Sequence, residues 1–169
     1  MRNLSTILIM TTFLSTLFGF KSQNKNSIYP PEKFSVVEAK LSNGKPVVGS
    51  INMGYKNYSD KARYPWCLKI NIALDLKKVT ENGLPLKSES DIANKFEDEL
   101  INSIRKVATA HYIGHLYNDT FLDVYIYLDN PEKVNEYLQS EVNKKGLIRG
   151  FAFRIEKDPN WTFVKALLK

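Results

Sequence analysis

Hydrophobic positions along this chain fall into two periods, and together they lay out most of its elements. Between residues 88 and 108, Ile92, Phe96, Leu100, Ile104 and Val107 recur at three- and four-residue spacing, which lines one face of an α-helix. Glu97, Asp98, Asn102, Arg105 and Lys106 fall on the opposite, wetted side. Ser88 or Ser90 can cap the free amides at its start, where Glu89 and Asp91 also suit the helix dipole. Residues 66–74 alternate instead: Trp66, Leu68, Ile70, Ile72 and Leu74 point one way, and Cys67, Lys69, Asn71 and Ala73 the other. Residues 121–128 do the same, with Leu122, Val124, Ile126 and Leu128 opposite Phe121, Asp123, Tyr125 and Tyr127. Each is a strand with one buried face.

The remaining elements follow from breakers. Residues 34–41 and 47–54 flank Asn43-Gly44-Lys45-Pro46 and read as a β-hairpin, because Asn-Gly supplies the positive φ angles of a tight turn. Residues 55–65 read as a polar surface loop carrying Tyr55, Tyr58 and Tyr64. Residues 111–117 form a strand that turns at Asn118-Asp119-Thr120. Asn130 can cap a second helix with Pro131 in its first position and Val134, Tyr137, Leu138 and Val142 as its apolar stripe. Gly146 ends that helix, residues 147–156 form the last strand, and Asp158-Pro159-Asn160 precedes an apolar tail. From Trp66 onward the order is strand, helix, strand, strand, helix, strand. This is the α+β, ferredoxin-like split βαβ order, an antiparallel sheet with two helices on one face, here preceded by a β-hairpin.

Composition changes the picture mainly at the N-terminus. Arg2 precedes an uncharged run at 4–20, which has the layout of a secretory signal and is shorter than the roughly 20 residues a membrane span needs. The expected organisation is a signal peptide at 1–22, a flexible lead-in at 23–33 and a single α+β domain at 34–169. The protein is thus expected to be exported, periplasmic or extracellular. The net charge is +6; without the signal segment 22 basic residues face 18 acidic ones, too small a surplus to argue for nucleic acid. A single cysteine excludes an intrachain disulfide.

Candidate chemistry is sparse. Residues 149–156, Arg-Gly-Phe-Ala-Phe-Arg-Ile-Glu, look like the octamer of RNA-recognition motifs. That octamer belongs on the third strand and ends in an aromatic residue, so Phe151, Phe153 and Ile155 read better as a buried file. His111 and His115 have the H-x-x-x-H spacing of a helical zinc site, but on a strand they stand roughly 13 Å apart and share no metal. Cys67 lies off the core file near Lys69 and could be a reactive thiol, though a half-buried hydrophobe is the commoner role. Glu97-Asp98 and Glu81…Glu89 read as solvated carboxylates, and no phosphate loop or nucleophile elbow is present.

The sheet face away from the helices remains. By parity it carries Lys69, Asn71, Tyr125, Tyr127 and Arg154, the tyrosine and arginine mix of recognition surfaces, unless the hairpin or the Trp161 tail covers it. The expectation is a non-enzymatic binding module that engages an envelope protein or a small ligand through this face and the adjoining tyrosine-rich loop. No cofactor, no nucleic acid and no membrane beyond the signal segment are expected, and the sequence sets no oligomeric state. The alternative is a small hydrolase or thiol enzyme using Cys67 or His115.

From about Phe34 to its end the chain resembles domain-of-unknown-function family 695. The resemblance rests on Gly44-Lys45-Pro46, Pro65, Asn82-Gly83-Leu84-Pro85 with Glu89, Glu97-Asp98, the Gly114…Thr120 hairpin and Asp158…Trp161. That family is sometimes associated with domains similar to the bacterial ribonuclease E inhibitor, a ferredoxin-like regulator that works by binding. The resemblance implies no catalytic residue.

Overall fold

A computed structural model describes residues 28–169, so the expected signal segment at 1–22 and the start of the lead-in lie outside the described residues. Six strands, β1 (Phe34–Lys40), β2 (Pro46–Asn52), β3 (Trp66–Ala73), β4 (Ala110–Asn118), β5 (Phe121–Leu128) and β6 (Phe151–Lys157), build one open sheet. Two helices, α1 (Lys87–Ile104) and α2 (Pro131–Val142), join them. The strand order is β1-β2-β4-β5-β3-β6 and every neighbouring pair is antiparallel. The fold is therefore α+β, a six-stranded antiparallel sheet with two helices.

The alternation seen in β3 and β5 sorts side chains onto two faces, and both faces are covered. On one, Leu68, Ile70, Ile72, Leu122, Val124, Ile126 and Leu128 pack against Ala93, Phe96, Leu100 and Ile104 of α1 and Val134 and Leu138 of α2. Burying each such Leu or Ile contributes roughly 1.5–3 kcal/mol to the stability of the sheet. Phe151 belongs to it, and Phe153 and Ile155 pack against its edge, the bland reading of the 149–156 octamer. On the other face a second core forms without either α-helix: Val37, Val47, Ile51, Ile113 and Leu116 from the strands, Tyr55 and Tyr64 from the loop, and Trp161, Val164, Leu167 and Leu168 from the tail.

Several local expectations need correction. The hairpin turn between β1 and β2 is longer than two residues: only Gly44 takes a positive φ, and Leu41 N–H donates to Lys45 O across it. The 55–65 segment runs along the surface at Lys56, Asn57, Ser59, Ala62 and Arg63, but it turns Tyr55 and Tyr64 into the core. Helix α1 starts one residue earlier and ends four earlier than the periodicity suggests. Neither Ser88 nor Ser90 caps it; Leu86 holds the cap position with no side-chain bond. Glu89 is instead fully buried and takes Arg149 Nε (2.7 Å), Arg149 Nη2 and Asp75 N–H (3.0 Å). Burial alone would raise its pKa, but the Arg149 hydrogen bonds and the Asp75 N–H outweigh that and lower it. Next to this clasp β6 begins at Phe151 rather than at 147, with Gly150 O still accepting Ala73 N–H at 2.9 Å. Helix α2 follows its signals, with Asn130 Oδ1 accepting from Lys133 N–H at 3.1 Å and Pro131 opening the helix.

Candidate functional site

The five residues expected on an open sheet face do share one face, but that face is not open. Cys67 pairs with Tyr127, Lys69 with Tyr125 and with Arg154, and Asn71 with Asp123. Tyr127 is 0% and Tyr125 5% exposed. The tail closes over them: Trp161 stacks on Tyr127 with ring centroids 4.1 Å apart, and the Tyr127 hydroxyl donates to Asp158 Oδ2 at 2.6 Å. The same carboxylate accepts Thr162 N–H, Thr162 Oγ1 and Phe163 N–H at 2.8–2.9 Å, which fixes the first turn of the tail. Only Lys69, Asn71 and Arg154 reach the surface. Lys69 and Asn71 are engaged by Asp123 (2.9 and 2.6 Å), and Arg154 by Glu156 (3.0 Å). The tyrosines are thus a second core, because the tail had its own apolar residues to bury.

Cys67 lies in the same covered layer, 3% exposed, and burial pushes its thiol up to about 12. A thiol so shifted supplies no thiolate near neutral pH. His115 has a different environment from His111, although four residues apart on one strand they should share a face. A β-bulge between Tyr112 and Gly114 inserts the extra residue that separates them. Gly114 sits at φ 143°, and a Cβ there would lie 2.1 Å from Ser50 O, so only glycine fits the bulge. His111 therefore turns into the second core and His115 towards α1.

Facing α1, His115 Nδ1 donates to Glu97 Oε2 (2.7 Å) and Tyr112 donates its hydroxyl to Glu97 Oε1 (2.7 Å). Glu97 is 3% exposed, not the solvated carboxylate its neighbours suggest. Burial first, and then the Glu97 charge, raise the Tyr112 phenol, and the same two causes raise the carboxyl of Asp98.

On the other side of the strand His111 is completely buried among rings. Tyr64, Tyr29, Tyr58 and Tyr55 lie with centroids 3.9, 5.0, 5.2 and 5.5 Å away, and Trp161 at 6.2 Å. Its Nδ1 is 3.2 Å from the Tyr55 hydroxyl, while its Nε2 has no partner among the described residues. Desolvation dominates and lowers its pKa to about 4.

Next to this cluster lies a cavity of about 260 Å³, lined by Tyr29, Pro30, Glu32, Asn52, Tyr55, Arg105 and Tyr112. Four separate segments converge on it. The lead-in is tied down by Tyr58, which donates its hydroxyl to Ile28 O (2.9 Å), and by Lys33 N–H, which donates to Asn52 Oδ1 (3.0 Å). Asn52 ends β2 and caps the short turn Met53–Tyr55, where Gly54 is required because a Cβ would meet Pro31 O at 2.2 Å. Arg105 is the residue after α1, its guanidinium 5.9 Å from the Tyr29 ring centroid. Tyr112 comes from β4. Sequence reasoning noticed Tyr55 only as part of a tyrosine-rich loop and missed the rest, since the lining residues lie far apart in the chain and share no motif.

Among the described residues no group of three or more His, Cys, Asp or Glu side chains could hold a metal ion, and no helix is long and apolar enough to cross a membrane. The fold and cavity define an α+β domain with a small aromatic pocket. The chain belongs to a family of unknown function, DUF695, whose model matches residues 36–168. No curated protein and no solved structure matches it.

Proposed function

We propose that this chain is an exported, non-enzymatic binding domain that takes a small ligand into the cavity between the lead-in, the end of β2, the end of α1 and β4. One observation carries the reading: the cavity wall combines three tyrosines with a cation and an anion, and neither Arg105 nor Glu32 has an ion-pair partner among the described residues. Ligand sites are concave, mostly apolar and fitted with a few polar groups that set orientation. Export is supported by the layout of residues 1–22 alone. The stretch from β3 to β6 is a split βαβ unit of ferredoxin-like type to which the hairpin adds two strands; the order β4-β5-β3-β6 and the packing of both helices against one face support this.

A second, catalytic reading is favoured by the Glu97–His115 pair, since a buried carboxylate on Nδ1 orients a histidine for proton transfer through its other nitrogen. Cys67 takes no part in it, being on the opposite face of the sheet. Loss of a measured hydrolysis in His115→Gln with ligand binding intact is the result that would install this reading.

The test of the binding reading is an amide-resolved NMR titration of the purified protein with p-cresol, a neutral aromatic probe. Saturable shifts are expected at Tyr55, Arg105 and Tyr112. Shifts centred on Lys69, Asn71 and Arg154 would return recognition to the sheet face, and no saturable shift would remove the cavity as a site.

A further inference from the structure

Resting on the reading of the cavity as a ligand site, we infer that its ligand is a small zwitterion of amino-acid or betaine size, with its carboxylate on Arg105 and its ammonium against Glu32 and the tyrosine rings. The volume sets the size class. At about 260 Å³ the cavity falls below the roughly 300 Å³ at which pockets for drug-sized ligands begin, which favours a ligand smaller than a nucleotide or an oligosaccharide.

The charges set the chemistry. Arg105 presents a planar fork of donors that matches a carboxylate in two-point fashion. Glu32 follows Pro30-Pro31, whose fixed φ angles stiffen the backbone that carries it. One cation and one anion on a single small wall disfavour a phosphate dianion and a dication alike, because either would meet one repelling group. Both charges reach the same phenol: burial lifts the Tyr55 hydroxyl, Arg105 draws it down and Glu32 pushes it up. The faces of Tyr29, Tyr55 and Tyr112 add an attraction for an ammonium that a neutral ligand does not use. Asn52 supplies a neutral donor: its Oδ1 is taken by Lys33 N–H and Gly54 N–H, while its amide nitrogen bonds no described residue.

Calorimetric titration with three zwitterions and their singly charged counterparts tests this. L-phenylalanine is set against phenethylamine and 3-phenylpropionate, L-proline against pyrrolidine and cyclopentanecarboxylate, and glycine betaine against choline. At least one zwitterion is expected to bind about fivefold more tightly than each of its counterparts, near the upper end of what a solvent-exposed ion pair contributes. Arg105→Gln should erase the advantage over the amine, and Glu32→Gln the advantage over the acid. Both positions are exposed, so neither change threatens the fold. If no zwitterion outdoes its counterparts while p-cresol still saturates the cavity, the ligand class is wrong and the site stands. If p-cresol fails as well, both fall.

Discussion

Trp161→Ala is expected to destabilise the domain by about 3–5 kcal/mol, the range for removing a buried tryptophan. Its ring is 1% exposed, stacks on Tyr127 and donates Nε1–H to Tyr64 O at 3.0 Å and Lys61 O at 3.2 Å. Truncation leaves two carbonyls short of a donor and opens a hole above Tyr127, Tyr55 and Tyr58, all of which it touches. Urea denaturation measures the loss. Arg154→Ala, on the same sheet face but at its surface, should stay within about 0.5 kcal/mol. A Trp161→Ala loss below about 1 kcal/mol would mean that the tail is not part of the core.

Stability is expected to fall as pH drops from about 6.5 towards about 4, and His111 is the group responsible. Its folded-state pKa, about 4, lies below the ordinary histidine value of 6.5. The unfolded chain therefore takes up a proton as pH falls through 6.5, while the native state does not until near 4. Above 6.5 the two states bind equally and this group costs nothing; below 4 its effect is complete. Over that window the loss is on the order of 3 kcal/mol. The groups that face it are Tyr29, Tyr55, Tyr58, Tyr64 and Trp161, with Asp129 and Asp60 favouring the charged ring and Arg105 opposing it. His111→Phe keeps a flat ring in the cluster and discards an unpaired buried nitrogen. The urea midpoint of this variant should be nearly flat across the window, and its parallel fall with the parent would assign the loss elsewhere.

What could be read from the sequence was what local period decides. The alternation of β3 and β5 and the apolar stripe of α1 are near-neighbour patterns, and they placed these elements within a few residues. What escaped depends on distant partners. Glu89 reads as an N-terminal helix acid until Arg149, sixty residues on, is brought to it. Glu97 reads as solvated until β4 supplies Tyr112 and His115. A bulge between Tyr112 and Gly114 puts the two histidines on opposite faces, a break in the ladder that local alternation does not announce. The tyrosine face failed for a simpler reason: alternation says which side chains share a face, and not what lies over it. The cavity combines residues from four segments, and its charges acquire meaning only from having no ion-pair partner among the described residues.

The far face of the sheet is a closed core, and the proposed recognition lies in the cavity for that reason. The single cysteine offers the most direct measurement of that closure, for Cys67 lies opposite Tyr127 beneath the tail. The rate of maleimide labelling near neutral pH, native against urea-unfolded protein, is expected to be lower in the native state by at least about a hundredfold, since reaction must wait for opening. Labelling of the native protein at the unfolded rate would show an open face in place of a closed core.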